Sequence, residues 1–278
     1  FFFKYKRILM EDNPIISIPY PNKFTIQKRP SAKCKSPYVA DAEETTELLH
    51  APSLGCFGLV EKYSKVICTE KINSSGKCKY LVQLGYDPDS DTYVSTNPLL
   101  ANQIAEILLN HKKINFDHTY DTVEREKTVG NSRFDFILSE EDKKHIVEVK
   151  AVPIAFYENL PVKEYKKRKY DNFDKQDKVG IFPVGYKKNK DAPVSERAIK
   201  HLNELARLIS EKEISTGTCL FIVGRNDVSK FSPSKDDPHY CLAMKEAVKS
   251  GVNIKAIKIK WVDNKAYFAG EIPVVIDE

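Results

Sequence analysis

The sequence predicts an α+β protein: a mostly β first part followed by a mixed α/β second part. Three observations lead there. The first ~95 residues carry turn signals at short spacing and little helical period. SerThrAsnPro at 95–98 changes the texture abruptly. Beyond it, helical periods alternate with short apolar runs.

In the first part, FTIQ, SPYVADAE, GLVEKYSKVICTE and KCKYLVQLGY read as strands. PYPNK, HAPSLGCFG, NSSGK and DPDSD separate them, and short strands with glycine at the corners suggest a small barrel or sandwich. At the change of texture, Asn97 is placed to cap a helix and Pro98 to occupy its first turn. LLANQIAEILLNHK is that helix. A hairpin follows in NSRFDFILSEEDKKHIVEVKA, then a basic stretch, then an amphipathic helix from about Ser195 to Glu211 with Ala198, Leu202, Leu205 and Ile209 at helical spacing. CLFIVG (219–224) reads as a buried strand, PHYCLAMKEAVKSG as a helix and NIKAIKIKW as a strand. The division is 1–95 for the β domain and 96–278 for the α/β domain, with a basic insertion at about 157–190.

Composition bounds the function. The chain has 278 residues, 41% of them hydrophobic, enough to bury a real core, and a formal net charge of only +5. Residues 161–190 hold ten Lys/Arg against four Asp/Glu, so the positive charge is concentrated there. The run Lys166, Lys167, Arg168, Lys169, interleaved with Tyr165, Tyr170 and Phe173, suits contact with a phosphate backbone and stacking on bases. A solvated charge run is the competing reading of these residues; the stretch 161–190 has a poor core-forming pattern, and part of it reads as a mobile surface loop. Six cysteines without a CxxC pair argue against a zinc site or a disulfide scaffold and for a reduced compartment, cytoplasmic or nuclear. An organelle stays open because FFFKYKRIL, apolar then basic and without an initiator Met, suits a processed leader as well as an internal boundary. No run has the length of a membrane span.

The hairpin carries the chemistry. With its turn centred between Glu141 and Asp142, paired residues have numbers that sum to 283, which sets Asp135 opposite Glu148 and Arg133 opposite Lys150. Strand alternation then places Phe134, Phe136, Val147 and Val149 on one face, and Arg133, Asp135, Glu148 and Lys150 on the other. Two facing carboxylates repel, and a hard divalent ion such as Mg2+ (or Mn2+) between them resolves the conflict. Lys150 is placed to stabilise charge on phosphate. An exposed strand face of mixed charge is the plain alternative.

HAPSLGCFGLVE (50–61), VSTNPLLANQIAEILL (94–109), SRFDFIL (132–138), VEVKAV (147–152), SERAIKHLNELA (195–206), FIVGRNDVSKFSP (221–233) and DPHYCLAMKEAVKSGVNIKAI (237–257) occur in the order seen in the sugar fermentation stimulation protein (SfsA) family. The chain resembles that family over roughly residues 34–275. The resemblance implies an OB-like β-barrel followed by a PD-(D/E)xK, restriction-endonuclease-like domain with a central mixed sheet flanked by helices. It implies DNA as first-choice partner, with RNA second, and metal-dependent phosphodiester hydrolysis, with a non-catalytic nucleic-acid-binding regulator as the alternative. Asp135, Glu148 and Lys150 match the acid, acid and lysine of the nuclease core, and Glu106 fits an upstream acid as a further metal ligand. His201 matches the family's KHL, with a structural role favoured over a catalytic one. Arg197, Arg225 and His50 are candidate nucleic-acid contacts. The chain departs from the family pattern in the basic insertion, in Ala198 where the family has Gly, and in HAPSLG where it has an HxPNTG-like loop.

Overall fold

The computed structural model describes residues 13–54, 56–72, 76–189 and 191–276. The opening FFFKYKRIL lies outside them. Alternating apolar residues in the first part build five strands that close on one another: β2 (Asn22–Lys28), β3 (Val39–Ala42), β4 (Leu48–His50), β5 (Lys65–Glu70) and β6 (Cys78–Asp87). The order is β4-β3-β2-β5-β6, and β4 pairs with β6 to complete an OB-like barrel. Phe24, Ile26, Leu49, Val66 and Val82 fill its interior. β7 (Thr92–Ser95) extends β6 and leads into the second unit.

Helix α1 (Pro98–Asn110) starts as its sequence predicts, with the Asn97 side chain accepting from the Leu99 N–H and proline in the first turn. It lies on a seven-stranded mixed sheet ordered β1-β16-β15-β13-β10-β9-β8. The members are β1 (Ile16–Ser17), β8 (Thr122–Val129), β9 (Ser132–Glu140), β10 (Lys143–Val152), β13 (Thr216–Val223), β15 (Asn253–Val262) and β16 (Lys265–Ile272). Helices α3 (Glu196–Ser210) and α4 (Pro238–Lys249) cover the other face. Ser195 and Asp237 cap them by accepting from the Ala198 and Tyr240 N–H groups. Leu202, Leu205 and Leu208 on α3 are fully buried, each contributing about 2 kcal/mol. A smaller sheet, β11 (Ala155–Phe156), β12 (Lys178–Phe182) and β14 (Val228–Pro233), follows from β10, and the one-turn helix α2 (Val162–Tyr165) lies between β11 and β12.

The two units share a core. Ile67 and Leu84, on the outer face of the barrel, pack in one cluster with Ile104, Val147, Leu220 and Trp261. Trp261 Nε1 donates to Ser95 Oγ at 2.9 Å, and the Ser95 N–H donates to the Gly224 carbonyl at 2.9 Å. Gly224 permits that approach, since a Cβ there would stand 2.5 Å from Ser95 Cβ. β1 precedes the barrel in sequence yet pairs with β16 of the second unit, through Ile16↔Ala266.

Candidate active site

β9 and β10 pair from Lys143↔Glu140 to Val147↔Phe136, so the register is the one in which partners sum to 283. The ladder ends one step before Asp135 and Glu148. Past that point β10 keeps β13 on one side, through Glu148↔Cys219 to Val152↔Val223, and opens on the other. The carboxylate of Asp135 takes over from the ladder: its Oδ2 accepts from the Val149 N–H at 2.8 Å and its Oδ1 from Asn102 Nδ2 of α1 at 2.9 Å.

The expected division of faces needs correction. Phe136, Val147 and Val149 share the core beneath α1, but Phe134 packs under α3, 5.8 Å from the His201 ring. The opposite face is no open charged cluster either. Ile146, Val152, Cys219 and Phe221 bury there, so Glu148 stands in an apolar wall with 3% of its surface exposed. Arg133 is exposed and paired with Glu126, away from the acids.

Two donors serve Glu148. Lys150 Nζ and His201 Nδ1 both contact its Oε1, while Oε2 is buried and accepts no hydrogen bond. A carboxylate only accepts, so His201 carries its proton on Nδ1. Burial pushes the Glu148 carboxyl up, but the His201 bond and the Lys150 charge outweigh it, and the group lies below its ordinary value. Asp135 moves the other way: burial and the Glu148 charge raise it, against the smaller effects of the Val149 N–H, Lys150 and Asn102. Two neighbouring carboxyls are thus driven apart, one upward and one downward, by their different surroundings.

Asp135, Glu148 and Lys150 line one cleft of about 440 Å3. Asn102, Thr96 and Pro98 close one side, Phe182, Pro183 and Val184 another, and Ser53 and Leu54 of the barrel reach over it. Arg197, at the start of α3, is exposed and lines the same cleft. The other candidates lie elsewhere. Glu106 sits one helical turn beyond Asn102 and pairs with Arg125 at 2.8 Å, so it does not reach the acids. Arg225 is not a free phosphate contact. It is buried between the units, bonded to Asp227 at 2.6 Å and to Asp87 at 2.5 Å, with Lys178 beside the same acids. His50 lies in β4, outside the cleft lining, its imidazole held below the ordinary value by burial and by Lys71 and Arg29.

The basic insertion folds back on the seam instead of projecting as a loose loop. Tyr157, Tyr165 and Tyr170 stack in series, and Phe57 of the barrel joins the cluster through Phe156 at 4.8 Å. Arg168 pairs with Glu158, and Lys166 Nζ stands 5.1 Å above the Phe57 ring. Lys167 and Lys169 are exposed. Asn102 and the bond from His201 to Glu148 were not visible to sequence reasoning; Asn102's only signal is a polar residue interrupting the apolar run of α1.

A model of the sugar fermentation stimulation protein RE domain matches residues 99–160 and 175–265. The chain belongs to the SfsA family. The break in the match, 161–174, falls inside the basic insertion. SfsA relatives include the sugar fermentation stimulation protein homolog of Carboxydothermus hydrogenoformans, 31% identical over 232 residues, covering 82% of this chain and 87% of the relative. The homolog of Clostridium botulinum strain Langeland is 32% identical over 216 residues, 77% of this chain and 80% of the relative. Pyrococcus furiosus SfsA, whose structure is in complex with Ca2+, superposes with a TM-score of 0.72 over 95% of this chain and all of that one, at 19% identity. The SfsA fold, barrel plus curled mixed sheet with helices, is therefore that of this chain. No helix among the described residues is long and apolar enough to cross a membrane.

Proposed function

We propose that the protein hydrolyses phosphodiester bonds of nucleic acid, DNA before RNA, using Mg2+ or Mn2+ held by Asp135 and Glu148. The observation that carries this reading is Glu148 Oε2, buried and without a hydrogen-bond partner, in the same cleft as an Asp135 that burial and the Glu148 charge push toward protonation. Both features are relieved by one cation. No group of three or more His, Cys, Asp or Glu side chains fit to hold a metal occurs among the described residues. The pair Asp135 and Glu148 suits Mg2+, which takes one or two carboxylates and completes its shell with water and substrate phosphate. The Ca2+ in the P. furiosus structure supports a divalent ion in this fold.

A bound ion supplies Lewis-acid polarisation of a phosphoryl oxygen. The chain does the rest. His201 fixes the Glu148 carboxylate from Oε1, which leaves Oε2 available, and the Asn102 and Val149 donors fix Asp135. Lys150, held at Glu148, brings positive charge to the phosphate as negative charge develops on it. Arg197 at the rim orients a neighbouring phosphate.

The non-catalytic alternative gains from one observation: Lys150 is paired with Glu148, as in a site closed on itself. Incubation of the protein with single- and double-stranded DNA and RNA in Mg2+, Mn2+ or EDTA decides between them. Cleavage that needs metal and is lost in Glu148→Ala and Lys150→Ala supports the enzyme, and binding without cleavage of any substrate rejects it.

A further inference from the structure

The cleft does not end at the barrel. A second cavity, about 310 Å3, adjoins it across the barrel loop: Ser53 and Leu54 line the first space, Cys56 to Leu59 line the second, and Ile154 lines both. The second space is built differently. Phe57 forms its outer wall, in edge contact with Phe156 at 4.8 Å and Tyr165 at 6.4 Å, with Lys166 Nζ 5.1 Å above the ring. Phe57 still leaves 38% of its surface exposed and holds a left-handed φ of 47°, a conformation uncommon for a bulky residue. On the floor, Lys178 and Arg225 are matched by Asp87, Asp89 and Asp227. That floor is balanced and offers a phosphate little. An aromatic face with a cation over it, above carboxylates that accept N–H groups, suits a nucleobase.

We propose that the seam between barrel and α/β unit threads one strand of nucleic acid, with an unpaired base next to the scissile phosphate stacked on Phe57 in the second cavity. This rests on the nuclease reading for the place of the phosphate. A base inside a duplex has no free face and must leave the stack to meet a ring. Among the residues lining the first cavity, Lys150 and Arg197 are the cations, too few to follow a duplex backbone. Exposed Lys167 and Lys169 extend the positive surface from Lys166, where the strand leaves the second cavity.

The test measures anisotropy of labelled single-stranded DNA, single-stranded RNA and duplex DNA in EDTA, then their cleavage in Mn2+. Single strands of one or both sugars are expected to bind and be cut in preference to duplex. Phe57→Ala should weaken single-strand binding by about tenfold or more, and Phe57→Trp should retain it. Because Phe57 also packs on Phe156, thermal melts accompany each variant, and Lys166→Glu, on an exposed side chain, reads the same site with a several-fold loss expected. Duplex cut as well as single strand, or single-strand affinity unmoved by both Phe57→Ala and Lys166→Glu, overturns the strand path and leaves the nuclease reading standing. Phe57-dependent single-strand binding with no cleavage of any substrate upholds the path and removes the nuclease.

Discussion

His201 Nδ1 is hydrogen-bonded to Oε1 of Glu148, tying helix α3 to the middle of strand β10 across 53 residues of sequence. Both side chains are buried, so the bond replaces water that neither can reach. His201→Ala is expected to cost about 1–3 kcal/mol in urea unfolding and to weaken Mn2+ binding in calorimetry. His201→Asn, which sets an amide N–H close to the place of Nδ1–H, is expected to recover part of both. Equal metal affinity in wild type and His201→Ala would show that the histidine serves packing alone.

Metal should stabilise the fold by mass action. At a concentration 100 times Kd the gain is about 2.7 kcal/mol, visible as a rise in Tm with Mg2+ or Mn2+ over EDTA. Glu148→Ala is expected to abolish the rise. Glu106→Ala should leave it intact, because that carboxylate is engaged with Arg125 and stands off the cleft. A rise lost in Glu106→Ala would contradict this placement.

Asp227 anchors the contact between the units. Burial alone would raise its carboxyl, but Arg225, Ser90 and Lys178 bring it down to about 2. A carboxyl depressed in the fold contributes stability above its unfolded pKa, near 3.8, and loses it as pH falls through about 2. Asp227→Ala leaves buried Arg225 and Lys178 undercompensated and is expected to cost about 3–5 kcal/mol at neutral pH. The penalty should shrink in acid, and chemical denaturation at pH 7 and pH 2.5 measures the decline.

A second pH effect comes from His145, stacked on His118 with ring centroids 3.6 Å apart. Burial and the His118 charge lower His145 from 6.5 to about 4. Between those two values the unfolded chain binds a proton that the fold refuses, so stability falls as pH drops from 6.5 toward 4. His145→Gln should flatten that slope in thermal melts, and an unchanged slope would place its origin elsewhere.

Much of the site was legible because a hairpin is local. The symmetric turn at Glu141–Asp142 fixes the register, and the register brings Asp135 to Glu148. What periodicity could not supply was the change of side at Phe134, which occurs where the ladder stops, nor which polar residue of α1 meets Asp135. Asn102 and Glu106 lie one turn apart on the same stripe, and only tertiary distance chooses between them. His201 reads as part of the buried stripe of α3, but its partner lies on another element. In the insertion, the charge run outweighed Tyr157, Tyr165, Tyr170 and Phe173, whose irregular spacing hides how they stack. The barrel strand β4, the linking strand β7 and the pairing of β1 with β16 are short or remote in sequence, and local pattern carries little of them.

Ile67 and Leu84 belong to the barrel by chain order and to the α1 core by packing. An interface made of core does not hinge. The slit over Asp135 and Glu148 therefore has a set gauge: whatever enters it is selected by thickness, as in a wire-drawing die, and not by walls that close around it.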